Sequence, residues 1–216
     1  RSLDVEVYCL NINSSRIRVK DFLKFYRLLK KLNPNVIQTW MYHADFFGGI
    51  IARLAGFNNV FWNIRHTTLL PENSKKSTIF IAKLCARLST VIPKRIICCA
   101  EEAKRVHIDL GYEKRKMTVI ANGYEISLFK PSEKLRFSLR NELGFNSNTL
   151  VLAMVGRFHP QKNHLGLLKA LSIVKSSYDD FKFLLIGRDL NNDNLILSNE
   201  IKNYNLESDI LLLNQR

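Results

Sequence analysis

Residues 151–171 read VLAMVGRFHPQKNHLGLLKAL. An apolar run, 151–155, leads into Gly156 and Arg157, then a short polar loop carrying Pro160 and Lys162, then an amphipathic segment. The run reads as a buried strand and the segment as a helix with Leu167, Leu171 and Val174 on one face. Gly156 permits close approach of backbone, and Asn163 is the candidate N-cap of the helix. Two cations therefore stand at a strand-to-helix turn. A helix amino end has unpaired N–H groups and a partial positive charge, which favour an anion, and the carboxyl ends of parallel strands are where open α/β sheets bind ligands. Arg157 can hold a phosphate through two parallel hydrogen bonds, with Lys162 a flexible point charge beside it. The alternative is a solvated loop in a basic chain.

The same rhythm extends along the chain. Short runs rich in Val and Ile fall at 5–10, 35–40, 60–65, 95–100, 117–122, 149–156 and 181–187. Most are continuous rather than alternating, as expected of strands covered on both faces. Helical patterns lie between them at 19–32, 44–55, 77–88, 101–110, 133–143, 165–175 and 195–204. Strand and helix alternating in this way predict parallel sheets in an α/β fold. A polar stretch after Pro131 divides the chain into an N-terminal domain over 1–131, a linker and helix over 132–148, and the start of a second domain over 149–216. The chain opens without Met in a strand-like stretch, RSLDVEVYCLNI, and stops in another, DILLLNQR. The expectation is a fragment of a longer protein.

Composition narrows the partners. The 216 residues hold 33 Lys and Arg against 19 Asp and Glu, a net charge of +14, and 46% are hydrophobic. That content buries a core, and that charge favours nucleic acid, acidic headgroups or phosphorylated substrates. Aromatic residues are scattered through apolar runs and no RNP, KH or helix-turn-helix signature is present, so nucleic acid is not expected. The four cysteines, Cys9, Cys85, Cys98 and Cys99, show no C-x-x-C spacing and no nearby zinc-spaced His, so neither a metal site nor a disulfide framework is expected. No apolar run approaches the roughly 18 to 20 residues that span a bilayer. The stretch RIRVKDFLKFYRLLKKL sets Phe22, Phe25, Tyr26 and Leu29 on one side and Lys20, Lys24, Arg27, Lys30 and Lys31 on others. That pattern suits packing on a sheet, or lying on an anionic membrane surface.

The segment G-R-x-x-x-Q-K-N-H followed by LGLLKAL, residues 156–171, strongly resembles the start of the C-terminal domain of family 4 glycosyltransferases of the GT-B type. The resemblance implies that Arg157 and Lys162 contact the diphosphate of a nucleotide-sugar donor, with Gly156, Asn163 and Gly187 as donor-binding neighbours. Where the family often shows G-x-G, this chain has Gly187, Arg188 and Asp189, without the second glycine. Residues 96–132, IICCAEEAKRVHIDLGYEKRKMTVIANGYEISLFKPS, resemble the family's crossing between domains. Asn122, Gly123, Phe129 and Pro131 match, while Glu125 replaces a usual Asp and Ala100 a usual Ser. VFWNIRHTTL, residues 60–69, resembles the site of a histidine that contacts the transferred sugar. The resemblance implies that role for His66, with Arg65 and Thr67 beside it; taken without the resemblance, a surface histidine is the alternative. His43, in QTWMYHADFFGG, resembles a histidine at the preceding strand end that shapes the acceptor side, with Gly48 and Gly49 letting the next helix pack closely. A helix-capping or surface role is its alternative.

The resemblance further implies two Rossmann-like domains facing across a cleft, both incomplete here. It implies retaining transfer from a UDP- or GDP-sugar to a glycan or lipid-linked acceptor, in cell-envelope polysaccharide biosynthesis, in the cytoplasm or at the inner face of the membrane. Arg157, Lys162 and His66 are the expected catalytic residues, the two cations stabilising the departing diphosphate without a divalent metal or cofactor. The family's Gly-rich loop and its E-x(7)-E pair are not among these residues. The fragment is accordingly expected to bind nucleotide weakly and to turn over poorly or not at all. A sugar-nucleotide epimerase would share the GT-B fold but not the G-R-x-x-x-Q-K-N-H signature, and a basic nucleic-acid module fits the charge alone.

Overall fold

Apolar runs too short for helices pair as strands, and the amphipathic segments between them cross back over the sheet. The computed structural model describes residues 5–11, 18–67, 69, 74–178 and 180–216. The chain divides into two compact units, Arg1–Tyr124 and Glu125–Arg216.

The first unit runs α1 (Val19–Leu32), β1 (Ile37–Trp40), α2 (Tyr42–Leu54), β2 (Val60–Ile64), α3 (Lys76–Leu88), β3 (Arg95–Cys98), α4 (Glu101–Asp109) and β4 (Met117–Val119). Its strands lie in the order β1-β2-β3-β4, all parallel. Val60, Trp62 and Ile64 of the inner strand β2 are fully buried, as are Ile96 and Cys98 of β3. Helix α2 approaches this layer through Gly49, where a Cβ would stand 2.8 Å from Trp62 Nε1, and Gly48, where it would stand 3.1 Å from Thr39 Cγ2. The close packing expected of the two glycines is therefore present. Phe22 and Phe25 of α1 lie against Phe47 of α2, with ring centroids 4.5 and 6.1 Å apart, so the apolar side of the basic helix covers a neighbour.

The second unit runs α5 (Glu133–Glu142), β5 (Leu150–Val155), α6 (His164–Lys175), β6 (Phe181–Ile186), α7 (Leu195–Asn203) and β7 (Ile210–Asn214), with a parallel sheet ordered β5-β6-β7. Leu168 and Leu171 of α6 and Leu197 and Ile201 of α7 bury against Phe181, Phe183 and Leu185. Arg140 donates to the carbonyls of Asn146 and Thr149 at 2.6 and 3.0 Å, tying α5 to the start of β5.

Three expectations are corrected. Residues 5–10 form no strand, and most of them are exposed. An extended segment needs a ladder partner for its backbone groups, and the described residues supply none. The run 151–155 is not buried: Leu152 and Val155 are 39% and 75% exposed, because among the described residues β5 is an outer strand flanked by β6 alone. On α6 the buried pair is Leu168 and Leu171, while Val174 is exposed. The strands also stop earlier than the apolar runs, leaving Arg65, Cys99, Ala100 and Asn122 in the loops at the sheet's carboxyl edge.

Candidate active site

In the second unit the two cations stand at the carboxyl edge of the sheet. Gly156 continues the β5 ladder by donating its N–H to Ile186 O at 2.8 Å, and Phe158 N–H donates to Arg188 O at 2.9 Å. Arg157, between them, is exposed. Pro160–Lys162 form one 3-10 turn, in which Gln161 N–H donates to His159 Nδ1 at 3.3 Å. Asn163 follows with left-handed backbone, φ 52°, and its side chain caps α6 by accepting from Gly166 N–H at 3.3 Å. Asn is one of the few non-glycine residues that takes this conformation readily.

This reversal lays Lys162 over Gly156. A Cβ on Gly156 would meet Lys162 Cε at 3.5 Å and Cγ at 3.7 Å, so the lysine stem runs along the glycine. Gly187 approaches the same peptide from β6 with φ 148°, and a Cβ there would stand 2.2 Å from Gly156 O. Only glycine fits. The loops enclose an open hollow of about 420 Å³ lined by Gly156, Arg157, Gly187, Arg188, Gln215 and Arg216, among others. Arg188 pairs with Asp189 at 3.6 Å and Arg216 with Glu142 at 2.8 Å. Among the described residues no carboxylate pairs with Arg157 or Lys162. Two cations without counter-ions beside exposed backbone are suited to an anion.

His164, next to this turn, is 2% exposed, and neither ring nitrogen has a hydrogen-bond partner. Burial, and then the charge of Lys162, hold its pKa below the usual histidine value. Its ring lies 5.5 Å from that of Phe158. A neutral imidazole in the core leaves Lys162 as the charge at the amino end of α6.

In the first unit the carboxyl edge gathers Trp40, Arg65, His66, Thr67 and Asn122. Arg65 leaves β2 half-buried, with its guanidinium carbon 4.7 Å from the centroid of Trp40 and its Nη1 donating to Asn122 Oδ1. His66 is half-buried beside it, 6.4 Å between ring centroids from Tyr42, while Thr67 is exposed. His43 is exposed in the first turn of α2. Gly123 has open space where a side chain would stand. Arg65 and Asn122, read separately in the sequence, are thus brought into contact.

Beneath this edge lies a polar layer that sequence patterns did not mark as functional. Tyr42 OH lies 2.7 Å from His107 Nε2, and His107 Nδ1 lies 2.6 Å from Ala103 O. A carbonyl only accepts, so Nδ1 carries the proton and Nε2 accepts from the tyrosine. Burial lowers the pKa of His107, which its bond to Ala103 partly offsets. Thr39 donates its hydroxyl to Asp45, whose Oδ2 and whose buried neighbour Asn63, through Oδ1, have no partner. Burial pushes the Asp45 carboxyl up to about 7. The one available signal for this layer was polar residues on otherwise apolar faces, which periodicity reads as core.

Among the described residues no group of three or more His, Cys, Asp or Glu is arranged to hold a metal ion, and no helix is long and apolar enough to cross a membrane.

Comparison with known proteins follows the same division. The model of Glycosyltransferase Family 4 matches residues 4–128, and that of glycosyl transferases group 1 matches residues 136–216. The UDP-Gal:alpha-D-GlcNAc-diphosphoundecaprenol alpha-1,3-galactosyltransferase of Escherichia coli is 30% identical over all of this chain and 56% of its own length. The capsular polysaccharide biosynthesis glycosyltransferase CapH of Staphylococcus aureus is 27% identical over 82% of this chain and 47% of its own length. The chain thus spans about half the length of these curated relatives. The crystal structure of Anabaena Alr3699/HepE in complex with UDP-glucose matches at a TM-score of 0.73 and 21% identity, over 91% of this chain and 52% of that one. The expected α/β fold of the GT-B class is borne out.

Proposed function

Because the chain belongs to glycosyltransferase family 4, we propose that the intact protein is a hexosyltransferase that moves a sugar from a UDP- or GDP-sugar to a glycan or lipid-linked acceptor in envelope polysaccharide biosynthesis. The observation that carries this reading is the juxtaposition of Lys162, laid over Gly156, with the unpaired Arg157 at the carboxyl edge of β5 and β6. A diphosphate seated there meets two fixed cations and the amino end of α6. As the bond to the sugar breaks, the leaving diphosphate gains negative charge, and the same groups stabilise it without rearranging. The reaction retains anomeric configuration, needs no divalent metal, and uses His66 to contact hydroxyls of the transferred sugar.

The relatives support the substrate classes: one is named for a UDP-galactose donor and a diphosphoundecaprenol-linked acceptor, and one solved neighbour holds UDP-glucose. A lipid-linked acceptor places the enzyme at the inner face of the membrane, where the lysines of α1 that point away from α2 meet anionic headgroups.

Calorimetric titration of the intact protein with UDP, GDP and their glucose and galactose conjugates tests the reading, repeated with Lys162→Ala and Arg157→Ala. Loss of a charge-assisted contact is expected to weaken the best ligand at least about tenfold, or about 1.4 kcal/mol. Unchanged affinity in both variants would remove the diphosphate from this edge.

A further inference from the structure

Trp40 ends β1 with 52% of its surface exposed, whereas Trp62 on the neighbouring strand is fully buried. Its place is over-determined. On its carboxyl side Met41 is held at φ 72° as α2 begins, with its N–H donated to Asn63 O at 3.0 Å. On one face of the indole lies the Arg65 guanidinium, 4.7 Å from the centroid and bonded in turn to Asn122. The Nε of Arg65 is buried without a partner, so the contact with the ring and the bond to Asn122 are what hold this guanidinium. A flat apolar surface, about half of it open to solvent, is thereby fixed at the sheet edge against Arg65.

We propose that Trp40 is the platform on which a pyranose ring of the acceptor stacks, with Arg65 and Asn122 as positioning residues that hold it. The proposal rests on the glycosyl-transfer reading and names the acceptor contact for it. The face of an aromatic ring carries partial negative charge, and the C–H groups on the less polar face of a pyranose carry partial positive charge, so the two surfaces attract while the sugar's hydroxyls stay at its rim. An indole already immobilised by a cation loses little freedom when a sugar arrives, which favours binding. Arg65 occupies one face, so a single ring is accommodated on the other.

The test uses the intact protein with N-acetylglucosamine-diphosphoundecaprenol and the methyl glycosides of glucose, galactose and N-acetylglucosamine as acceptors. Trp40→Ala is expected to raise the KM of the preferred acceptor about tenfold, with donor KM and donor hydrolysis unchanged. Trp40→Phe is expected to restore most of the loss, and Asn122→Ala to raise acceptor KM by a smaller factor without changing kcat. Acrylamide quenching, taken as the difference between wild type and Trp40→Phe, isolates the fluorescence of this indole, and the acceptor sugar is expected to shield it. Transfer with unchanged acceptor KM in Trp40→Ala would overturn the platform while leaving the transferase standing. Shielding by UDP or GDP instead of the sugars would overturn it as well, by assigning the indole to the donor. Absence of transfer by the wild type with every donor and acceptor would count against the transferase reading, and sugar shielding of Trp40 would then decide the platform by itself.

Discussion

Gly187 passes so close to Gly156 that a Cβ on the former would stand 2.2 Å from the carbonyl oxygen of the latter. That peptide carries Arg157, and its glycine carries the stem of Lys162. Gly187 thus fixes the separation of the loops after β5 and β6, and with it the backbone that carries Arg157. Gly156 is under no such demand, because a Cβ on it would meet Lys162 at an ordinary 3.5 Å.

The glycines therefore separate structure from binding. Gly187→Ala must push apart two backbones that are hydrogen-bonded on either side, from Gly156 N–H to Ile186 O and from Phe158 N–H to Arg188 O. A loss of about 2 to 4 kcal/mol in the second unit is expected from chemical denaturation, in the range of backbone clashes that cannot relax cheaply. Gly156→Ala is expected to change stability by less than about 1 kcal/mol while weakening nucleotide binding, because the added methyl takes up space in the hollow that Gly156 lines beside the lysine stem. Equal destabilisation by the two substitutions would show that the lysine stem is not what lies over Gly156.

Asn163 joins two functions that substitution can divide. Its left-handed backbone turns the chain from Lys162 into α6, and its side chain accepts from Gly166 N–H. Asn163→Gly keeps the backbone conformation and loses the cap, at a few tenths of a kcal/mol. Asn163→Ala loses both, at about 2 to 3 kcal/mol when the cap and the left-handed penalty are combined. Thermal unfolding should rank wild type above Gly above Ala. If Ala equals Gly, the turn relaxes without cost and Asn163 does not set the direction of Lys162.

Periodicity and punctuation made most of the fold legible. The run VFWNI is apolar at every position but one, and β2 is an inner strand with both neighbours parallel. The Gly-Arg turn and its capping Asn were readable because each has a local physical requirement. What failed was anything set by neighbours distant in sequence. LVLAMV has the composition of an inner strand, yet its burial depends on what lies on its far side, and β5 is flanked there by no described strand. Arg65 and Asn122 are 57 residues apart, and only the parallel order of β2, β3 and β4 brings their loops to one edge. Asp45 and His107 lie by spacing on the buried faces of their helices, with Tyr42 and Ala103, and what periodicity does not show is the partner each finds there, Thr39 for Asp45 and Tyr42 for His107.

A buried ion pair holds the far end of the second unit. Asp209 is 4% exposed, with Lys175 Nζ 2.6 Å from its carboxylate and Lys182 Nζ at 3.8 Å. Lys175 also donates to Asn205 O, so α6 is tied to the loop entering β7. Asp209→Ala strands a lysine that is 30% exposed, and the partial exposure limits the loss to about 2 kcal/mol, below that of a fully buried pair. Lys175→Met leaves Asp209 nearly buried with only the more distant Lys182, and is expected to cost more than Asp209→Ala. Urea denaturation of the two variants gives the order, and the reverse order would mean that the carboxylate is better solvated than its burial indicates.

The buried layer of the first unit predicts an unusual dependence of stability on pH. The Asp45 carboxyl is pushed from 3.8 up to about 7, mainly by burial, and the Thr39 hydroxyl offsets part of this. The native state thus holds this proton more tightly than the unfolded chain. The stability it contributes is complete below about pH 4 and is lost as pH rises towards 7. His107 runs the other way: burial lowers its pKa from 6.5, so its contribution is complete above that value and is lost on acidification. Just below pH 6.5 the two slopes oppose, so the wild-type protein is expected to lose less stability on acidification there than a variant without the Asp45 carboxyl. Asp45→Asn removes one of them, leaving a variant that loses stability on acidification below 6.5 at up to about 1.4 kcal/mol per pH unit. His107→Gln leaves the other, so that its stability falls as pH rises from 4 to 7. Urea midpoints at each pH unit from 4 to 8 check both, and superimposable profiles for wild type and Asp45→Asn would mean that Asp45 keeps its charge in the folded protein.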